Sequence, residues 1–339
     1  MRLFAFLFLT LAQLTGVNKS HADDIEQFYK GRTINIVVGN GQGAGNDSYS
    51  RLLARHLGSH LKGRPGAVVS NMPGASGLVA FNWLANVAPR DGSTIATTSF
   101  TIPFEPIFGN AAARFHAPDF AWIGNMESGV SVCVARVDSG IDRFEDLLKQ
   151  ELTVGAAAST GFPSQASRAL MELLGVRLKL IEGYVGTAAI KLATERSEVQ
   201  GICGISASTI RAQWQELIKS ETVKIILQLS ATPDPNLSGV PHVFDFVHDG
   251  ERRAVLSLIF GPQELGRAFA TPPGVRKERV DTLREAFMAT MRDDDFRADA
   301  LKMGLDLKPQ SGRDVQAVVE ALYAASPAIV GRAKKLLGQ

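Results

Sequence analysis

Cysteine is scarce in this chain: two residues, Cys133 and Cys203, serve all 339 positions. No Cys-x-x-Cys and no neighbouring histidine accompany either one, which argues against a thiolate metal site or a thiol nucleophile. Both fall in apolar stretches that read as strands, so they form either one disulfide of an exported chain or two buried free thiols. An excess of one charge is lacking too. The 36 Lys and Arg residues face 34 Asp and Glu, a formal charge of +2, and this balance excludes a nucleic-acid footprint or an acidic-lipid patch. Long apolar runs are missing as well. The N-terminal run from Leu3 to Val17 is interrupted by Thr10, Gln13 and Thr15 and is short for a membrane span.

That run follows a basic start, Met1-Arg2, and ends before Ser20-His21-Ala22, which offers small residues at the two positions a signal peptidase inspects. A secretory signal over residues 1–22, cut after Ala22, is expected, and with it a periplasmic location. Its removal leaves 34 basic residues facing 34 acidic ones. Long-range steering of an anion by net charge is therefore not expected.

With 45% hydrophobic residues, the chain has material for a substantial core, and its length suggests two domains. A unit of β-branched run, Gly-rich turn and helical pattern repeats along it. Thr33 to Val38 reads as a strand, Gly39 to Asn46 as a turn, and Leu53, Leu57 and Leu61 as one face of a helix. Strands follow at 67–69 and 93–97, with a helix between them. The pattern restarts with a strand at 151–154, a loop to Pro163, a helix closed by Gly175, and strands at 178–182 and 198–204. The last third carries the apolar run Val255 to Phe260, the turn Thr271-Pro272-Pro273-Gly274 and an amphipathic helix over 280–291. Such alternation predicts an α/β fold with mostly parallel sheets. The expected organisation is a first domain over 23–130, a second over 131–228, and a return to the first with C-terminal helices over 229–339.

The informative loops lie between strands and helices. Gly41, Gln42, Gly43, Ala44, Gly45, Asn46 and Asp47 place unobstructed backbone N–H groups at a helix start, where the dipole favours an anion and Asn46 or Asp47 can cap the first turn. The dinucleotide fingerprint fails, because its third glycine falls at Asn46 and the second strand ends near Ser70-Asn71 without an acidic residue. A Walker loop fails for want of Gly-Lys-Ser/Thr. Ala158, Ser159, Thr160, Gly161 and Ser164 repeat the arrangement in the other half of the chain. Tyr184 and Gly186 add an aromatic wall with further N–H groups, or else a structural turn. Ser76, Thr98, Ser99 and Phe100 are candidates for the distal part of a pocket at the strand ends.

At these residues the chain resembles the substrate-binding proteins of tripartite tricarboxylate transporters, the Bug family. The family's first loop, Pro-x-Pro-x-Gly-Gly-x-x-Asp, is matched at Gly43, Gly45 and Asp47. Asn71-Met72-Pro73-Gly74-Ala75-Ser76-Gly77 is similar to Asn-Arg-Pro-Gly-Ala-Gly-Gly, and Ala88-Pro89-Arg90-Asp91-Gly92-Ser93-Thr94 to Ala-x-Pro-Asp-Gly-Tyr-Thr. Gly183-Tyr184-Val185-Gly186 and Ala270-Thr271-Pro272-Pro273-Gly274 resemble two later family turns. The resemblance implies a two-domain Venus-flytrap fold of the periplasmic binding proteins, type II-like. It also implies a carboxylate held by the loops at 41–47 and 157–164, and integral membrane subunits that receive the solute. Glycines and Gln42 stand where the family has prolines, and Met72 where it has arginine.

Other signals point elsewhere more weakly. His56 and His60 lie four apart on a helix without further ligands and read as a solvated face. Asp293-Asp294-Asp295 reads as charged surface. No Gly-x-Ser-x-Gly elbow occurs and no carboxylate pair stands out. A monomeric solute receptor without metal, cofactor or catalysis is the expectation. The alternatives are an α/β enzyme acting on a carboxylate or phosphorylated metabolite, and a ligand-sensing subunit of a membrane receptor.

Overall fold

The computed structural model describes residues 24–157, 159 and 161–338. The expected signal at 1–22, together with Ala158 and Thr160 of the second loop, lies outside these residues. A short helix α1 (residues 24–29) leads into β1 (Thr33–Val38), which is buried without alternation from Ile36 onward, as befits a strand covered on both faces. Then come α2 (Gly45–His56), β2 (Gly66–Asn71), α3 (Leu78–Asn86), β3 (Thr94–Thr97) and β4 (Ala121–Asn125). The middle of the chain supplies β5 (Ser131–Arg136), β6 (Leu152–Gly155), α4 (Phe162–Leu174), β7 (Leu178–Ile181), α5 (Thr187–Glu195), β8 (Gly201–Ser206), α6 (Ala207–Gln213), α7 (Gln215–Lys219) and β9 (Val223–Leu229). The last third adds α8 (Gly250–Phe260), β10 (Ala268–Thr271), α9 (Lys277–Arg292), α10 (Asp294–Lys302), β11 (Gln310–Ser311), α11 (Gly312–Tyr323) and α12 (Pro327–Leu337).

Among the described residues these strands form two sheets, ordered β11-β4-β10-β3-β1-β2 and β7-β6-β8-β5-β9. Neither is mostly parallel. The pairs β1/β2, β1/β3, β6/β7 and β6/β8 are parallel, but β10 runs antiparallel to β3 and β4, and β5 antiparallel to β8 and β9. The reason is the path of the chain. It leaves the first sheet after β4 and returns at β10, and the strand entered after each crossing, β5 and then β10, runs against the βαβ direction. The apolar run Val255 to Phe260 lies in helix α8; α8 and α12 both pack on α4 of the second sheet.

Local chemistry sets the ends of α4. Pro163 occupies its first turn, where a missing N–H costs nothing, and Gly175 closes it at φ +71°. Its buried stripe, Ala166, Ala169, Leu170 and Leu173, faces the second sheet, and each buried leucine contributes about 2 kcal/mol. One apolar cluster (Ile34, Ile36, Leu52, Phe287) fills the α2/α9 side of the first sheet. Another runs from Phe81 and Trp122 through Phe260 of α8 and Leu337 of α12 to Leu170, so the two sheets are coupled through a continuous core. A third, around Ile202 and Trp214, lies beneath α5 to α7.

His56 and His60 are not a solvated face. Each ring nitrogen Nε2 lies 3.1 Å from a carboxylate, His56 from Asp299 and His60 from Asp293, and only 16% and 22% of the two side chains is exposed. Asp293 also caps α10 by accepting from the Phe296 N–H. No helix among the described residues is long and apolar enough to cross a membrane.

Candidate functional site

The C-terminal ends of β1, β2 and β3 open on the same edge of the first sheet, because the three strands are parallel and in register. The loops that follow them are tied together by side chains. Asn46 Nδ2 donates to Asn40 Oδ1 (2.7 Å), Asn40 Nδ2 to Ser99 Oγ (3.3 Å), and Asn71 Nδ2 to the Asn40 carbonyl (3.0 Å). Asp47 is the centre of this arrangement. Its carboxylate, 2% exposed, accepts from the Gly43 N–H (2.8 Å), from Arg51 through Nε and Nη2 (both 2.9 Å) and from Asn71 Nδ2 (2.9 Å). The Arg51 guanidinium and these donors hold its pKa down to about 2. The Asp47 carboxylate thus shapes the first loop from beneath. The N-cap is Ala44, with no side-chain cap, so the N–H groups of the first turn of α2 have no partner within the helix.

The approach to that turn is open. Gly41, Gln42, Gly43 and Gly45 are exposed, and a Cβ on Gly43, whose φ is +80°, would meet nothing within 4 Å. The adjoining segment is strained: Ala75 and Ser76 both adopt positive φ (44° and 58°), unusual for residues with a side chain and a pattern concentrated at binding sites. Gly77 follows at φ +108°, with the Thr98 hydroxyl occupying the space where its Cβ would stand. Gly77→Ala is expected to destabilise by about 2–4 kcal/mol through overlap and strain together. Adding Thr98→Ala should recover the overlap part in a double-mutant cycle followed by urea unfolding.

On the facing sheet, β6, β7 and β8 end on the same side. Gly161 is the N-cap of α4, Ser159 is exposed with its carbonyl held by Arg168 (2.7 Å), and Ser164 is fully buried. The Gly183–Gly186 turn is fastened to the end of β6 by bonds from the Gly183 and Tyr184 N–H groups to the Ala157 and Ala156 carbonyls. Tyr184 lies back over Gly155, within 3.3 Å of where a Cβ there would stand, and Gly186 opens α5 at φ +89°. Thr98, 4% exposed, likewise sits below the surface, its hydroxyl near the Ser76 carbonyl.

Two cavities lie between the sheets. Phe100 lines both, and its ring meets Phe162 of α4 edge-on with centroids 6.1 Å apart. One cavity, about 550 Å³, is walled by Ser76, Phe100, Phe104, Phe162 and residues of α8. The other, about 520 Å³, follows the crossing segments 127–131 and 263–267 and is lined by more charged side chains. Apart from Phe100, its residues, among them Glu127, Ser128, Arg211, Arg267 and Lys308, were not singled out in the sequence. Ser128-Gly129 and Ser206-Ala207-Ser208 carried the same small-residue signal as the loops that were. Arg267 carried none, since only the return of the chain at β10 places it there. Its guanidinium stacks over Tyr49 of α2, 5.0 Å from the ring centroid, and Nη2 stands 2.9 Å from where a Cβ on Gly45 would be. Glu127 faces it at 3.6 Å, and burial raises the Glu127 pKa above the usual carboxylate value.

Cys133 and Cys203 face each other on β5 and β8 and are joined by a disulfide; two positions along β5, Ser131 pairs with Ser206 at the mouth of the polar cavity. No group of three or more His, Cys, Asp or Glu that could hold a metal occurs among the described residues.

No family model matches this chain, and no curated protein matches it. Solved structures do. A TctC solute-binding protein from Polaromonas, without ligand, is 19% identical and superposes over 91% of this chain and 99% of its own at a TM-score of 0.71. The periplasmic binding protein BugD is 22% identical over 91% and 98%, with a TM-score of 0.58. A protein from R. palustris with adipate is 19% identical over 91% and 97%, with a TM-score of 0.57. The fold is accordingly the two-domain α/β fold of the periplasmic binding proteins.

Proposed function

We propose that the protein is an extracytoplasmic solute receptor of the tripartite tricarboxylate transporter kind. It captures a small carboxylate between two lobes and passes it unchanged to integral membrane subunits. The observation that carries the reading is that parallel strands of each sheet end in loops on one edge, and that Ser76 and Phe100 from the loops of one sheet share a cavity with Phe162 from the loop side of the other. The open first turn of α2 supplies uncompensated N–H groups at its rim. The likeness in fold to TctC, BugD and the adipate-bound protein supports it. The first lobe comprises residues 23–130 with the returning strands, the second 131–228. Residues 1–22 direct export to the periplasm, and the receptor acts as a monomer.

A carboxylate at Gly43 to Asn46 would accept from backbone N–H groups and gain about 0.3–1 kcal/mol from the helix dipole. Closure of the facing lobe over it makes affinity depend on both halves. The test is titration calorimetry of the purified protein with mono-, di- and tricarboxylates, amino acids and aromatic acids, with the ligand recovered and analysed. Saturable binding of an acid recovered intact is expected. Turnover of the ligand would replace the receptor by an enzyme. Gly43→Val, which places a branched side chain on a positive-φ residue at the open rim, is expected to remove binding at least a hundredfold while the far-ultraviolet circular dichroism spectrum is retained.

A further inference from the structure

The polar cavity along the crossing segments has a wall that specifies more than a carboxylate. Its charges balance: Arg211, Arg267 and Lys308 stand against Glu127, Asp234 and Asp306. The three acids are already engaged. Glu127 faces Arg267, Asp306 pairs with Arg211, and Asp234 caps the turn by accepting from the Asn236 N–H. Each acid thus already has a donor, which disfavours the ammonium of an amino acid. A dianion would add two uncompensated charges to a neutral lining, whereas a single carboxylate beside the start of α2 adds one where the dipole favours it.

What is in surplus is hydrogen-bond capacity. Ser128 is 7% exposed and its hydroxyl, at the cavity wall, has no partner. Arg267 Nε is buried and donates to nothing, being 3.6 Å from Glu127. Lys308 makes no ion pair among the described residues. Ser206 Oγ is engaged, accepting from the Thr209 N–H (3.1 Å) and contacting the Ser208 and Thr209 hydroxyls at 3.0 and 2.8 Å, and Ser131 already donates to Gln263 (2.7 Å). Hydroxyls that both donate and accept match such a wall, because an aliphatic chain would leave Ser128 and Arg267 buried and unpaired.

Resting on the receptor reading above, we propose that the solute is a small monocarboxylate carrying several hydroxyl groups, of the sugar-acid type. Its carboxylate lies toward the start of α2, and its hydroxylated body fills the cavity of Ser128, Arg267 and Lys308. Arg267 bridges the two ends, since its guanidinium borders both Gly45 and the cavity.

The test is calorimetry with four six-carbon probes: gluconate, hexanoate, adipate and glucose, with glucuronate and galactonate as further hydroxylated acids. At least one hydroxylated acid is expected to bind ten times or more tighter than hexanoate and adipate, with no heat from glucose. Arg267→Gln is expected to weaken that binding at least tenfold and Ser128→Ala about fivefold. Adipate or hexanoate binding as tightly as every hydroxylated acid would overturn the proposal and leave the carboxylate receptor standing. Glucose binding as tightly as gluconate, or no binding by any acid, would overturn both. Unchanged affinity in both variants would remove the solute from this cavity.

Discussion

Asp47→Ala is expected to abolish solute binding and to lower stability by about 2–3 kcal/mol, because the Gly43 N–H and the Asn71 amide lose a buried charged acceptor. Arg51, 41% exposed, keeps its hydration and holds the loss below that of a fully buried pair. Asp47→Asn separates charge from shape. The folded-state pKa is held at about 2 against an ordinary value of 3.8. The stabilisation from the charge is therefore fully present above about pH 4 and disappears as pH falls through about 2, amounting to on the order of 1–2 kcal/mol after screening. Urea unfolding of both proteins from about pH 2 to pH 7 reads this directly. A gap between wild type and Asn variant that stays constant down to pH 2 would mean that the carboxylate charge is not what secures the loop.

Removing the Cys133–Cys203 bridge is expected to have a larger effect on stability. The two residues are 70 apart in sequence, and closing a loop of that length constrains the unfolded chain by about 4 kcal/mol in the chain-entropy account. The double variant Cys133→Ala/Cys203→Ala, or wild type unfolded in reductant, should show that loss as a lower denaturant midpoint, with an m-value that rises because the unbridged unfolded chain exposes more surface. Because the bridge lies two positions along β5 from Ser131 and three along β8 from its partner Ser206, it also fixes the spacing of hydroxyls at the cavity mouth. Solute affinity should fall in the double variant even where the protein remains folded. Equal midpoints with and without reductant would sink the stability claim.

The repeating elements and the glycine-rich loop before α2 were legible in the sequence because their causes are local. The β-branched run of β1, Pro163 and Gly175 at the ends of α4, and the glycines before α2 each act within a few residues of themselves. The same locality explains the errors. Sequence spacing shows Asp47 at a helix start, but not that Arg51 and Asn71 close around it from α2 and β2 and turn it inward. His56 and His60 appeared solvated because their partners, Asp299 and Asp293, come from helices more than 200 residues away.

By itself, the sequence determined an α/β protein with two loop-and-helix units, since helix starts, glycine turns and apolar periodicity are encoded within short windows. Tertiary structure alone decided that the sheets are mixed, that Cys133 reaches Cys203, and that Arg267 and Ser128 share a cavity with Lys308. These follow from where the chain crosses between sheets and returns. Contacts of that range depend on the packing of whole elements, and no neighbouring residue records them.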